Sequence, residues 1–292
     1  MATPSTATAE SAPVIATPSA LTANAGTKIT PPFPLNHARI LYDNVLEDYS
    51  TVTANNQSAG YPAINALKPN TYESWRFTTS SSTMQVDFGG GVKTFDMLCI
   101  GAHNLGRAGA NIQVWYEPEP GGTFFQFDTT KSPLFDQQQH PIVFYSQTAV
   151  SALTIEIRIT SASGVPSIGY ISAGVALQMQ RPFFNGHTPI TDGDATQYYS
   201  NRTESGEIIG QQIRRQGYET SADWQNLDDD WYRTYFAPFK QAAKLRPFFF
   251  AWNLLECPDD VGFCRIAQDI SAPMQNGTRV KRNISMTLLG AG

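Results

Sequence analysis

The sequence predicts a mainly β protein: a β-sandwich or jelly roll, followed by a smaller β-rich (α+β) part with one helical segment. Three observations predict it. Between Ala38 and Gln180, short apolar runs alternate with polar residues at a period of two. Gly and Pro clusters punctuate those runs, with no helical pattern between them. Large apolar residues recur every four positions from Leu227 through Trp231 and Tyr235 to Phe239, which is a helical spacing.

Residues 1–35 are dominated by Ala, Thr, Ser and Pro, with only Glu10 and Lys28 charged. They lack the basic and apolar regions of a secretory signal. Such a segment buries too little apolar surface to offset its ordering entropy. It reads as an extended low-complexity arm, ordered either by neighbouring chains or by packing on its own body.

Residues 36–180 form the sandwich unit. Its clearest strand is 153–160, where Leu153, Ile155, Ile157 and Ile159 alternate with Thr154, Glu156, Arg158 and Thr160, the pattern of a strand with one buried face. Further strands are expected at 84–88, 95–100, 112–116, 142–145 and 170–179. Gly89-Gly90-Gly91 and the 118–122 cluster act as turns. Residues 181–206, with Pro182, Gly186, Pro189 and Gly193, read as a linker.

The remaining unit, 207–292, opens with two strands expected to pair with each other, 207–213 and 217–224. A helical run follows from Asn226 to Leu245, with Asp228, Asp229 and Asp230 in its first turn and Lys240 and Lys244 in its last, matching the helix dipole. Pro238 predicts a kink or two shorter helices. Three strands close the chain at 247–254, 261–268 and 278–289; Val280, Ile284, Met286 and Leu288 share a face of the last.

Composition narrows the function. Charged residues are 15%, below the ~25% usual in soluble domains, as in chains that hide surface against other subunits. A net charge of −5 argues against a nucleic-acid partner. No apolar run approaches the ~20 residues that span a bilayer. The odd cysteine count, Cys99, Cys257 and Cys264, fits a reducing compartment. Cys99 reads as a small core residue, and a Cys257–Cys264 bridge stays open.

The stretch Ala63-Ile64-Asn65-Ala66-Leu67-Lys68-Pro69-Asn70, then Trp75, then Met84-Gln85-Val86-Asp87-Phe88-Gly89, and later Ile112-Gln113-Val114-Trp115-Tyr116, resembles the discoidin (coagulation-factor C-type) domain. The resemblance spans about half of the chain. It departs where Asn70 stands for the family's Asp-Gly and where no terminal cysteine pair brackets the domain. It implies a jelly-roll sandwich with Trp75 and Val86 turned into the core; a sugar-stacking role for Trp75 is the alternative. It also implies ligand binding on loops at one end, which makes Tyr61, His103, Asn104 and Arg107 the ligand-facing candidates. Ordinary loop positions or subunit contacts are the other reading of these residues. No cofactor is implied, although some relatives hold a structural Ca²⁺ in the loops.

The final 85 or so residues resemble phage tail proteins more loosely, through Ile213-Arg214-Arg215, Trp224, the acidic helix start and Pro247-Phe248-Phe249-Phe250-Ala251-Trp252. That likeness makes Arg214, Arg215, Trp224 and Trp231 candidate assembly contacts. Nothing in the chain carries a catalytic spacing: His37, His103, His140 and His187 are scattered, and no GxSxG, HExxH or phosphate loop occurs. The sequence expectation is a non-enzymatic structural protein of a tailed-phage virion, in the tail tip, baseplate or connector. It would be assembled in the host cytoplasm and ringed with copies of itself and other tail proteins. The alternative is a carbohydrate-binding module that attaches to host surface glycans.

Overall fold

A computed structural model describes residues 31–127, 140–161, 163–183, 186–215, 217–275 and 280–290. Most of the expected arm, residues 1–30, lies outside them. In chain order the strands are β1 (Arg39–Leu41), β2 (Thr51–Ala54), β3 (Trp75–Arg76), β4 (Ser81–Asp87), β5 (Lys93–His103), β6 (Ala110–Glu117), β7 (Phe125–Gln126), β8 (Ile142–Ala152) and β9 (Thr154–Ser161). They continue with β10 (Ser167–Gly174), β11 (Leu177–Gln178), β12 (Gln197–Arg202), β13 (Ile208–Arg215), β14 (Tyr218–Asp228), β15 (Phe248–Ala251), β16 (Val261–Ile266) and β17 (Lys281–Gly290). One helical segment, α1, runs through Asp229–Trp231, a wider π turn at Tyr232–Phe236, and Ala237–Ala242.

The sandwich has a five-stranded sheet, β2-β4-β9-β6-β7, against a four-stranded sheet, β3-β10-β5-β8. The alternation read in β9 holds: Ile155, Ile157 and Ile159 are buried and meet Leu98, Ile100 and Ile171 across the core. The motif residues pack as the discoidin-type pattern implies. Trp75 is fully buried, with Phe77 at 4.4 Å between ring centroids. Gly89 takes φ +62° after β4, and a Cβ there would lie 2.9 Å from the Ser50 side chain, so only glycine makes that turn without strain.

A third sheet follows, in the order β11-β1-β15-β16-β17-β14. Its strands β1 and β11 come from the two ends of the 36–180 span. They pair with each other, Arg39 opposite Gln178, and β1 also pairs with β15, Arg39 opposite Ala251. One face of this sheet, through Phe249, Val261 and Phe263, packs on the outer face of the four-stranded sheet at Met97, Cys99 and Tyr170. The β5 run is therefore apolar on both faces, as a strand between two layers must be. The other face, including Trp224, Phe248, Ile284 and Leu288, is covered by Trp231, Phe236 and Phe239 of α1. Phe33 and Leu35, at the end of the expected arm, are buried against this body.

Three expectations for the second half are corrected. Strand β13 pairs with β12 rather than with β14, and β14 pairs along its length with β17. Residues 181–206 hold β12 and a 3-10 turn, Ile190–Asp192. The helix opens at Asp229 and not at Asn226, because β14 continues to Asp228; Asp229 and Asp230 still lie in its first turn, as expected. Asp228 takes Lys281 Nζ and Gln180 Nε2, and Asp229 takes Arg282 and Arg233, so Asp229 ties α1 to β17 while Asp228 ties the end of β14 to β17 and to Gln180. Pro238 lacks an N–H for the helical ladder. The chain passes it in one segment, with the Ala237 N–H reaching back five residues to Tyr232 O, a π bulge. All three cysteines are free.

Candidate ligand site at the loop end of the sandwich

Strand β10 begins at Ser167, where three loops meet. On one side Ser167 pairs with Arg76 of β3. On the other, Asn104 Oδ1 accepts the Ser167 N–H at 2.7 Å, and Asn104 Nδ2 donates to Val165 O at 3.0 Å. One amide thus clamps the 103–109 loop to the 163–167 loop. Beyond Arg76 lies Tyr61: the guanidinium carbon is 3.9 Å from the ring centroid, and the Arg76 N–H donates to Tyr61 O at 3.2 Å. Arg76 Nε also donates to Ser74 Oγ at 3.1 Å. A stacked cation of this kind is worth ~0.5–1 kcal/mol at an exposed site, enough to bias one orientation of an exposed Arg side chain.

Tyr61, Asn104 and Arg107 therefore share one end of the sandwich, with Arg107 exposed on the 103–109 loop. His103 belongs to the same loop but is only 8% exposed. Its Nδ1 accepts the Leu105 N–H at 3.2 Å, which places the ring proton on Nε2, 3.0 Å from His140 O. Its ring shapes the loop from beneath. Sequence reasoning missed Arg76. The signal was available: Trp75 is buried, and the next residue in a strand faces the opposite way. Tyr72, 80% exposed, lies at the same end, since the neighbouring Thr71 carbonyl would be 3.5 Å from a Cβ at Gly169 of β10.

The expected assembly residues separate. Arg214 is exposed on β13, and Arg215, whose side chain lies outside the described residues, ends that strand. Trp224 and Trp231 are 2% and 3% exposed; they fill the core between β14 and α1 and present no surface to a partner. Beside β14 runs a cleft of about 1210 Å³, whose lining includes Arg181, Phe183, His187, Glu219, Asp223 and Asn226. Phe183 joins its aromatic groups, 4.4 Å from His187 and 4.6 Å from Trp224 by ring centroids. Burial lowers the pKa of His187 despite an opposing bond to the Ser221 backbone, so the ring is neutral at pH 7.

Among the described residues, no group of three or more His, Cys, Asp or Glu is placed to hold a metal ion, and no helix is long and apolar enough to cross a membrane. No protein-family model matches the chain, and none of the curated proteins matches it. Solved structures do. A GH29 fucosidase of Ruminococcus gnavus, in complex with fucose, aligns at 16% identity and a TM-score of 0.37 over 46% of this chain and 27% of its own length. The family 32 carbohydrate-binding module of C. perfringens NanJ, in complex with galactose, aligns at 14% identity and 0.37 over 47% of this chain and 98% of its own. The corresponding module of AlyQ, in complex with 4,5-unsaturated mannuronic acid, gives 19% and 0.35 over 46% and 96%.

Proposed function

We propose that this chain is a non-catalytic binding protein that takes carbohydrate at the loop end of its sandwich. The observation that carries the reading is the row Tyr61, Arg76, Ser167 and Asn104 across the start of β10, with Arg107 and Tyr72 exposed around it. An oriented guanidinium offers donors to sugar hydroxyls and carboxylates, and the exposed Tyr72 offers a ring face for stacking. Among the described residues, Asp96 is the carboxyl whose pKa burial raises, to about 6; it is 3% exposed and accepts the Ala176 N–H at 2.8 Å. That is an interior position, not that of a general acid reaching substrate. The test is a glycan array followed by calorimetry on the whole chain. Arg76→Ala and Arg107→Ala are each expected to weaken binding about tenfold or more, the scale of a charge-assisted hydrogen bond. Absence of any bound glycan overturns the reading.

A second reading is favoured by a different feature, the projecting β12–β13 hairpin with its exposed apolar residues. It makes the chain a structural subunit of a tailed-phage particle, in the tail tip, baseplate or connector, in contact with copies of itself and other tail proteins. The two readings are compatible, because a particle subunit can also hold a host glycan. Mass spectrometry of purified particles tests the second: absence of the chain from them sinks it.

A further inference from the structure

Among the described residues, the hairpin β12–β13 joins no other strand. Every residue of β12 is exposed, and Tyr198, Tyr199, Ile209 and Ile213 are each between 57% and 69% exposed. Tyr198 sits directly opposite Ile213, so those two share one face while Tyr199 lies on the other. The hairpin is rooted at the start of β14, where the Ala195 N–H donates to Gly217 O at 2.8 Å and Asp194 bridges Tyr218. A lone two-stranded hairpin is marginal in water, and this one carries aromatic and β-branched residues on exposed faces. A partner that covers it would remove both liabilities.

Charge selects the partner. The span 197–215 holds Arg202, Arg214 and Arg215 against Glu204 and Glu207, a net +1 within a chain of net −5. A span of net positive charge is better matched by an acidic surface than by a copy of itself. The cleft beside β14 is complementary: Glu219 and Asp223 are exposed in it, and its one arginine, Arg181, already donates to Asn226 O at 3.0 Å. The cleft also exceeds the ~300–1,000 Å³ of small-molecule sites and follows the outer side of an edge strand. In its wall, Trp224 Nε1 and His187 Nε2 are buried without hydrogen-bond partners.

We propose that the β12–β13 hairpin of one copy of this chain docks into the β14 cleft of a second copy, head to tail. The proposal rests on the assembly reading above. A heterologous contact of this kind propagates into a ring or a filament, since each copy keeps one hairpin and one cleft.

The experiment uses the whole chain and light scattering after size exclusion across a concentration series. The wild type is expected to form multimers. Tyr198→Ser/Ile213→Ser, at exposed positions, and Glu219→Arg/Asp223→Arg, in the cleft, are each expected to raise the dissociation constant tenfold or more, with unchanged circular dichroism. The two variants mixed are expected to form a 1:1 dimer, because one retains the cleft and the other the hairpin. Multimers that ignore both variants overturn the docking and leave the assembly reading standing. A wild type that is monomeric up to its solubility limit overturns the docking, and the particle test above then decides the assembly reading by itself. Variants that dissociate singly and stay monomeric when mixed overturn the head-to-tail geometry, as does association of the wild type only with a different protein.

Discussion

Arg39 and Asp96 are both buried where the sandwich meets the third sheet, and they are stabilised differently. Arg39 donates to three backbone carbonyls, Phe33 at 2.5 Å, Pro34 at 3.1 Å and His37 at 3.2 Å, and to the Tyr145 hydroxyl at 3.3 Å. Asp96 has less compensation. Burial pushes its pKa from 3.8 to about 6, against the smaller opposing effects of the Ala176 N–H and the Arg39 charge. The folded value lies above the unfolded one, so the native state holds the proton more tightly, and stability falls as pH rises from about 4 to about 6. Above that window the charged form costs on the order of 3 kcal/mol. Asp96→Asn keeps an acceptor for Ala176 and removes the charge. It is expected to be more stable than the wild type above pH 6 and to match it near pH 4. Urea midpoints across that range check this, and parallel curves for the two proteins would refute it. None of this was legible in the sequence, because Asp96 differs from any strand aspartate only in having a layer on each side.

At the scale of elements, what could be read was what one face determines. The alternation in β9 and the motif around Trp75 predicted burial correctly because each depends on local spacing. Pairing between distant segments was not legible. Strands β13 and β14 are neighbours in sequence and look like a hairpin, yet the partner of β14 is β17, more than fifty residues on. Strands β1 and β11, three and two residues long, are too short to show any period. The same dependence on distant contacts makes Gly262 of β16 sensitive. A Cβ there would lie 2.4 Å from Ile190 Cγ2 in the 3-10 turn that covers this end of the sheet. Gly262→Ala is therefore expected to destabilise the chain by about 1–3 kcal/mol through overpacking, and pairing it with Ile190→Ala should recover part of that loss. Denaturation of the two variants decides it; equal losses would show that the turn yields freely.

For the whole molecule, the four-stranded sheet is interior on both faces, toward the five-stranded sheet and toward the third sheet. Cutting the chain at 36 and 180 would strip the cover from Met97, Val143, Tyr145 and Tyr170 and leave β1 and β11 without β15. Such a fragment is expected to bind a hydrophobic dye and aggregate, while the whole chain melts in one transition. Calorimetry that resolved two independent transitions in the whole chain would contradict this. Carbohydrate binding therefore has to be measured on the intact protein.

Because β1 and β11 lie side by side, the chain leaves the third sheet and returns to it at nearly the same point. The sandwich is in this sense a cassette, plugged between two adjacent sockets of another unit and not strung ahead of it. Its exchange for a different sandwich would demand little of the junction. It would demand one thing of the newcomer: a flat apolar face to lie on Phe249 and Phe263. Recognition at the far loops could then be replaced while the hairpin and cleft kept their geometry.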